Sequence, residues 1–316
     1  MTARFVYDMA QFEHSAKGVV ATLGTFDGIH RGHQAIFDRV KEASRESGLP
    51  SVLVTFDPHP RFVVSPQNAP LLLTTTPEKK EFIPYYFDGQ VVVLPFTKEL
   101  MNLSAEQFVK QILIERIGVK KLIVGYDHAF GKNRSGNITE LKRLAHLYGF
   151  AVEVVEPILV DGTPVSSTRI RNAILGHTYA EALSLLGHNY AIYGTVERGI
   201  GLGRKLGYPT ANVAYSPMKL LPPEGVYACW TEIDGESKCG MMFIGTNHFN
   251  PAARVTVEAN LFDFDRDIYD HEIVVYPTHF IRANERFAST AELVKQIEHD
   301  KVNVLSIISK GAQTCQ

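Results

Sequence analysis

Cysteine is scarce in this 316-residue chain, which contains only Cys229, Cys239 and Cys315. The three form no Cys-x-x-Cys pair and cannot all pair with one another, so neither a disulfide framework nor a zinc site is expected. Long apolar runs are missing too. No stretch approaches about 18 uninterrupted apolar residues, so we expect no membrane-spanning helix. The first residues also lack the apolar core of a signal peptide.

The chain has no excess of positive charge. Its 32 lysines and arginines face 34 aspartates and glutamates, which gives a formal net charge of −2. We therefore expect neither a nucleic-acid partner held by a basic face nor a membrane partner. Small anionic ligands stay compatible, because they need only local positive groups. A 45% hydrophobic content and this length predict a two-domain globular protein of the cytoplasm.

Apolar runs alternate with amphipathic segments in the first half of the chain. Gly18 to Gly24 predicts a buried strand, and the next segment places Ile36, Phe37 and Val40 at helical spacing. Further strands and helices are predicted at Ser51–Phe56, Gln90–Pro95, Ser104–Ile117, Lys121–Gly125 and Thr139–Tyr148. This alternation is typical of parallel βαβ units. We expect an α/β fold with a doubly wound sheet, which binds ligands at the carboxyl ends of its strands.

The pattern changes near Ala182, where β-rich runs separated by turns begin. The runs are Tyr190–Val196, Gly225–Ile233, Cys239–Ile244, Arg254–Phe262 and Glu272–Phe280. Asp234-Gly235 is a hairpin signal between two of them. An antiparallel barrel is expected, closed by a helix over Ser289–Ile307 with a Ser289/Glu292 capping box. We place the boundary between a first domain, 1–184, and a second domain, 185–316.

The strongest candidate site is Gly24-Thr-Phe-Asp-Gly-Ile-His-Arg-Gly-His33, between the first strand and the first helix. Glycine permits a tight turn close to a phosphate, and the helix start presents free N–H groups. His30 and His33 share one side of the first turn and can donate hydrogen bonds to phosphate oxygens. A lone histidine there is more often a cap or a surface residue. Two histidines around a glycine favour phosphate chemistry.

Two later segments support this site. Thr55-Phe-Asp-Pro-His-Pro60 should reach the same sheet edge, although a plain proline-rich turn explains His59 equally well. Val165-Ser-Ser-Thr-Arg-Ile-Arg171 places hydroxyls and two arginines at a helix start, which suits a pyrophosphate or triphosphate. Ordinary N-capping with solvated arginines is the alternative for that segment.

Four motifs in order, Gly24–Gln34, Thr55–Pro60, Val124–Gly131 and Val165–Arg171, resemble the FMN adenylyltransferase module of prokaryotic bifunctional FAD synthetases. That module is similar to the nucleotidylyltransferase superfamily, whose marks are HxGH and SSTxxR. The resemblance implies that the FMN phosphate attacks the α-phosphorus of ATP and that pyrophosphate leaves. It implies catalytic roles for His30, His33 and Arg171. It also implies nucleotide or flavin contacts at Gly24, Phe26, Asp27, Gly32, Asp127, Ser166, Thr168 and Arg169. His128-Ala129 departs from the common Phe-Arg.

A glycine-rich segment, Gly194 to Val213, opens the second domain. Glycines at 199, 201, 203 and 207 stand beside Arg204 and Lys205, and such a loop can wrap phosphates with backbone N–H groups. It is neither a Walker A motif nor a dinucleotide fingerprint. A glycine-rich hairpin without a ligand would explain the glycines alone.

Gly207-Tyr-Pro-Thr-Ala-Asn212 resembles the PTAN motif of riboflavin kinases, and Leu221–Tyr227 and Val257–Phe264 also match. The resemblance implies that Glu258 accepts the proton of the ribityl 5′-hydroxyl as that oxygen attacks the γ-phosphoryl of ATP. It implies that Thr210 and Asn212 help to bind Mg²⁺, a cation that requires oxygen ligands. Further ATP or flavin contacts are implied at Gly201, Gly203, Lys205, Gly207, Pro209 and Arg282.

The second domain departs from the kinase pattern in four places. These are the segment 244–249, Asn260 where histidine is common, Asp270 in place of glycine, and the segment 282–287. We expect an enzyme that uses ATP and Mg²⁺ to convert riboflavin to FMN and FMN to FAD, with these small molecules as its partners. A weak homo-oligomer is left open. The alternatives are an adenylyltransferase with a weakened or inactive kinase domain, and a non-catalytic flavin- or nucleotide-binding regulator.

Overall fold

The computed structural model describes residues 3–132, 135–246 and 255–310. Contacts within the chain group it into two units, Met1–Ser167 and Thr168–Gln316. Within the described ranges, no helix combines the length and the apolar character needed to cross a bilayer.

The first unit contains a six-stranded, wholly parallel sheet in the order β1-β4-β3-β2-β5-β6. Its strands are β1 Arg4–Val6, β2 Val19–Leu23, β3 Ser51–Asp57, β4 Gln90–Pro95, β5 Val119–Gly125 and β6 Ala151–Val155. A small hairpin follows, β7 Leu159–Val160 and β8 Thr163–Pro164. The chain order reverses between β2 and β5, which is the switch point where doubly wound sheets bind ligands.

Helices cover both faces of this sheet. They are α1 Arg31–Ser47, α2 Pro60–Val64, α3 Thr76–Phe82, α4 Lys98–Met101, α5 Ala105–Phe108 and α6 Ile138–Tyr148, and α5 continues to Ile117 in π-type turns. Alternate β2 side chains enter different cores: Ala21 packs with Leu144 on one face, and Val20 packs with Phe37 on the other. The expected doubly wound α/β fold is confirmed.

The second unit is built around a closed antiparallel barrel in the order β10-β13-β12-β11-β14-β9. Its strands are β9 Ile192–Glu197, β10 Ala211–Tyr215, β11 Gly225–Ile233, β12 Glu236–Gly245, β13 Thr256–Leu261 and β14 Glu272–Arg282. Asp234 and Gly235 both have positive φ, 51° and 76°, as a two-residue type I′ hairpin turn requires. The predicted barrel and its hairpin are confirmed.

Four helices accompany the barrel: α7 Ser167–Leu175, α8 Tyr179–Leu186, α9 Leu202–Lys205 and α10 Thr290–Lys310. α8 packs on the barrel through Tyr179, whose ring lies 6.1 Å from that of Tyr227. The predicted boundary at residue 184 falls within α8 and stays a prediction. The two described cysteines differ in state. Cys229 is a buried free thiol whose pKa is raised by burial, and Cys239 takes part in a disulfide bond, which is less than a framework of bridges.

The closing helix α10 is held to the barrel by a buried ion pair. The Arg282 guanidinium lies 2.9 Å through Nε and 2.8 Å through Nη2 from Asp300 Oδ2. Gln296 Nε2 donates to Asp300 Oδ1 at 2.9 Å. Asp300 is only 2% exposed, and Val304, one turn on, packs in an apolar cluster with Met241. The helix is therefore fixed by both charge and apolar contact.

We expect Arg282→Met to destabilise the barrel by about 3–5 kcal/mol, because it leaves the Asp300 carboxylate buried and unpaired. The matched variant Arg286→Met removes the same charge from an exposed residue and should change stability by about 0.5 kcal/mol or less. Urea unfolding followed by the fluorescence of Trp230, the single tryptophan of the chain, measures both. Equal shifts for the two variants would contradict a structural role for the Arg282–Asp300 pair.

Candidate active sites

The loop between β2 and α1 forms the first candidate site, at the switch point of the parallel sheet. Phe26 and Ile29 have φ of 47° and 44°, which is strained for residues with a side chain, at a cost of about 1–3 kcal/mol each. Both side chains are buried, at 2% and 0% exposed. Core packing therefore holds the loop in a conformation that its backbone would not otherwise favour.

Hydrogen bonds fix the same loop to its surroundings. Asp27 Oδ1 accepts from the Thr74 backbone N–H at 2.9 Å, and the Gly28 N–H donates to Thr74 Oγ1 at 3.0 Å. Ser167 Oγ donates to the Asp27 carbonyl at 2.9 Å. One carboxylate oxygen of Asp27, a residue predicted to contact the nucleotide, therefore helps to hold the loop. Thr74 has no local sequence signal, since it acts through tertiary hydrogen bonds, whereas Ser167 lies within the predicted Val165–Arg171 segment but was not named as a contact.

The two histidines of the motif lie against each other, as the spacing predicts. His30 is the N-cap of α1, but its side chain makes no capping hydrogen bond. Its ring stacks on that of His33, with centroids 3.6 Å apart and planes 18° from parallel. The edge of the Phe26 ring lies 5.3 Å from the His33 ring. The two imidazoles thus form one surface beside the free N–H groups of α1.

Burial sets the charge of this pair. His33 Nδ1 is buried and has no hydrogen-bond partner among the described residues. Burial first, then His30, then Lys79, hold the pKa of His33 well below its ordinary 6.5. His33 is therefore a neutral imidazole near pH 7, able to donate one hydrogen bond but carrying no charge.

Lys79 is a residue that the sequence analysis did not select. It lies on α3 and is only 4% exposed, whereas its neighbour Lys80 is exposed. Burial lowers its pKa, and the carboxylates of Asp27 and Asp57 oppose that shift. The Thr75/Glu78 capping box could have located α3 from the sequence. Nothing local distinguishes the two lysines.

The other predicted residues of this site differ in their surroundings. A Cβ on Gly24 would lie 3.0 Å from the Phe26 ring, and one on Gly32 would lie 3.2 Å from the His30 ring. Asp127 is exposed, just after β5. His59 caps α2 by accepting from the Arg61 N–H at 3.2 Å, which fits the plain-turn explanation.

The SSTxxR segment lies at the start of α7. Ser166 precedes the helix, and Thr168, Arg169 and Arg171 lie on it. Arg169 pairs with Glu181 through Nε and Nη2, each at 2.9 Å. Any contact between Arg169 and a phosphate would therefore compete with an existing ion pair.

The second candidate site lies where β10 pairs with β13. Asn212 is the register partner of Glu258. Thr210 Oγ1 donates to Glu258 Oε2 at 3.3 Å, and Thr256 Oγ1 lies 3.4 Å from Glu258 Oε1. The structure thus brings together the three residues that the sequence singled out, and adds Thr256.

The surroundings of Glu258 increase the proton affinity of its carboxylate. Burial raises the pKa of its carboxyl, and the hydroxyls of Thr210 and Thr256 oppose that shift by hydrogen bonding to the ionised form. A carboxylate with a raised pKa is a stronger base than a solvated one, which suits removal of a proton from an alcohol.

The glycine-rich loop packs directly against residues of this pair of strands. A Cβ on Gly199 would lie 2.3 Å from Asn212 Nδ2, and one on Gly203 would lie 2.3 Å from the Tyr208 carbonyl and 3.2 Å from Thr210 Oγ1. Only glycine allows such approach. Gly201, Lys205, Gly207 and Pro209 flank or form the single turn of α9 in the same loop. The loop and the PTAN segment are therefore one structural unit.

The departures from the kinase pattern are accommodated where the structure describes them. Asn260 is 6% exposed, and its Nδ2 donates to the Pro209 carbonyl at 2.7 Å. Asp270 adopts φ of 66°, which explains why glycine is usual there and which Asp tolerates better than most residues. Asn284 Nδ2 lies 3.5 Å from Glu224. Residues 247–249 lie outside the described residues.

The donor chemistry of the second site fits a hard divalent cation accompanied by phosphates. In the described ranges no group of three or more His, Cys, Asp or Glu side chains is placed to hold a metal. Thr210, Asn212 and Glu258 instead offer neighbouring oxygen atoms. Mg²⁺ is commonly held by one or two protein oxygens together with substrate phosphates and water. Arg282 Nε and Nη2, by contrast, are occupied by Asp300.

The parallel-sheet unit and the barrel each contain one candidate site, an arrangement that fits a transferase with two activities. Residues 12–169 match the family model described as FAD synthetase, and residues 186–308 match that described as riboflavin kinase. The chain therefore belongs to the family of bifunctional riboflavin kinase/FMN adenylyltransferases, and the resemblance noted in the sequence is confirmed.

Individual relatives agree along nearly the whole chain. The bifunctional riboflavin kinase/FMN adenylyltransferase of Pseudomonas fluorescens is 39% identical over 94% of this chain and 95% of its own. That of Escherichia coli K12 is 36% identical over 90% of this chain and 91% of its own. A crystal structure from Streptococcus pneumoniae, described as a macrolide-efflux protein, superposes with a TM-score of 0.82 at 30% identity and covers 95% of this chain and 98% of that one. The family assignment does not favour the non-catalytic alternative.

We expect the half-buried His33, whose Nδ1 is shielded from water, to make stability depend on pH. Its pKa in the folded chain lies below the unfolded value of 6.5, so its contribution is complete above pH 6.5 and is lost as the pH falls towards the folded pKa. Between pH 7.5 and 5.5, wild type should lose about 1 kcal/mol more than His33→Gln, or about 2–4 °C in Tm by calorimetry. His146→Gln, at an exposed position on α6, is the matched control and should follow wild type. An equally steep pH dependence in His33→Gln would contradict this account.

Proposed function

We propose that this chain makes FAD from riboflavin in two ATP-dependent reactions, one in each domain. Residues 1–184 form the FMN adenylyltransferase domain and residues 185–316 form the riboflavin kinase domain. The observation that carries the proposal is that each unit holds a candidate site: the stacked histidine pair at the switch point, and Glu258 beside Thr210 and Asn212 in the barrel. A cytoplasmic location would supply the ATP that both reactions consume.

In the barrel, Glu258 accepts the proton of the ribityl 5′-hydroxyl. The freed oxygen forms a bond to the γ-phosphorus of ATP as the bond from that phosphorus to the β,γ-bridging oxygen breaks, which gives FMN and ADP. The raised pKa of Glu258 supports this role. The Thr210 hydroxyl, hydrogen-bonded to the carboxylate, orients it towards the hydroxyl that it deprotonates.

Thr210 and Asn212 are the proposed holders of Mg²⁺, together with the ATP phosphates. When bound, the cation neutralises phosphate charge and so lowers the barrier to attack. The backbone N–H groups of Gly201, Gly203 and Gly207 and the Lys205 side chain, which belong to the same loop, would contact the phosphates. Pro209 lies beside them, and Asn260 fixes its carbonyl. The Arg282 guanidinium already donates to Asp300 and, through Nη1, to the Ala283 carbonyl, so a ligand would use its remaining N–H groups.

In the parallel-sheet domain, an oxygen of the FMN phosphate forms a bond to the α-phosphorus of ATP. The bond from that phosphorus to the bridging oxygen of the pyrophosphate group breaks, giving FAD and pyrophosphate. No proton transfer is required, so catalysis consists of positioning and of stabilising negative charge. His30 and His33 would contact the α- and β-phosphates, within a pocket formed by Gly24, Phe26, Asp27 and Gly32. Asp127, Ser166, Thr168, Arg169 and Arg171 are the remaining proposed contacts.

His33→Ala should abolish conversion of FMN and ATP to FAD, because the imidazole that faces the reacting phosphates is gone. Conversion of riboflavin to FMN by the same preparation should be unchanged, since that site lies in the barrel. Chromatography of the flavin products after incubation with ATP and Mg²⁺ separates the two steps. Unchanged FAD output would refute the assignment of the first domain.

Glu258→Gln should show the opposite pattern. It keeps the shape of the side chain but cannot accept a proton, so FMN formation from riboflavin should fall by about 10²–10⁴-fold. FMN supplied directly should still be converted to FAD at the wild-type rate. If this variant still phosphorylates riboflavin, Glu258 is not the base. Wild type provides the test of the weakened-kinase alternative, which predicts little FMN from riboflavin even in the unmodified chain.

A further inference from the structure

The parallel-sheet unit contains a buried cation that the mechanism above does not use. Lys79 is 4% exposed. The carboxylates of Asp27 and Asp57 act on its ammonium group from nearby and favour its charged form. Lysines are almost never so buried unless paired, because an unpaired buried charge is expensive. The position therefore calls for an explanation.

Hydrogen bonds hold α3, and Lys79 with it, against the histidine loop. Thr74, just before the helix, bonds Asp27 and Gly28 as described above. Thr76 Oγ1 in its first turn donates to Asp57 Oδ1, at the end of β3, at 2.8 Å. Lys79 follows one turn further along the helix. The main-chain position of Lys79 is thus fixed relative to the loop that carries the histidine pair.

The two carboxylates that favour the charged form of Lys79 also take part in the hydrogen bonds that hold the loop. Asp27 and Asp57 both stabilise the ammonium form. Each already accepts a hydrogen bond through Oδ1, from Thr74 and Thr76 respectively. Lys79 in turn is one of the groups that keep His33 uncharged. Lys79 is therefore a cationic side chain on the α3 side of this loop.

We propose that Lys79 is a phosphate-binding residue of the adenylyl-transfer site, contributing a buried ammonium group on the side of the histidine loop where α3 packs. The inference depends on the proposed function of the first domain. As the bond to pyrophosphate breaks, negative charge accumulates on the leaving group, and an ammonium group placed beforehand stabilises it without reorganisation. A compact point charge suits phosphate oxygens, which accept from any direction.

The test uses the full-length chain with Lys79→Met, and Lys80→Met as the matched control on the exposed side of the same helix. Initial rates of FAD formation from FMN and ATP are measured with and without added inorganic pyrophosphate. Lys79→Met should lower kcat/KM by about 100-fold and weaken inhibition by pyrophosphate by about tenfold. Lys80→Met should stay within about twofold of wild type in both. Riboflavin phosphorylation should be unchanged in both variants.

A purely structural role for Lys79 would reduce the fraction of active enzyme but leave inhibition by pyrophosphate at its wild-type strength, and that result would overturn the inference. Lys79→Gln keeps a polar end group of similar reach and provides a second variant if Lys79→Met does not fold. Wild-type pyrophosphate inhibition in either folded variant counts against the inference. Wild type that makes no FAD from FMN and ATP would instead remove the proposed function of the domain, so the two failures are distinguishable.

Discussion

Desolvation is the constraint on which the chemistry of both sites depends. In the parallel-sheet unit it removes the charge of His33, and in the barrel it raises the proton affinity of Glu258. Neither effect requires a large net charge, which agrees with a chain whose formal charge is −2. Phosphate binding is instead assigned to a few local groups in each domain, such as the histidine pair and the glycine-rich loop.

Each site also shows how burial is made tolerable. Asp27 is 1% exposed, yet one of its oxygens has a backbone donor. Asp300 is 2% exposed, and its carboxylate accepts hydrogen bonds from Nε and Nη2 of Arg282. The strained backbone at Phe26 and Ile29 is held by side chains that fill the core beneath it. Packing and hydrogen bonds around these groups thus offset the free-energy cost of burying charge and of straining the backbone.

The sequence predicts those features whose causes are local. The alternation of apolar residues anticipated both sheets, capping boxes located helices such as the one that begins after Ser104, and the His30/His33 spacing anticipated the stacked pair. The strand β10 was not predicted, because its first residues form part of the PTAN motif and carry too little apolar pattern. Thr74 and Arg282 gain their roles from partners 47 and 18 residues away. Such pairings cannot be read from neighbouring residues.

Asn260 illustrates how a family pattern is best compared with a single chain. Its amide reaches the Pro209 carbonyl, so the requirement at this position is a donor of suitable length. A ring is one way of meeting it, and a short amide is another. A comparison of residue identities with the family pattern would suggest a degenerate domain. The hydrogen bond to the Pro209 carbonyl shows instead that this acceptor of the PTAN segment still has its donor. For enzymes that have diverged to this extent, buried polar groups left without a hydrogen bond are a better sign of lost function than changes of residue identity.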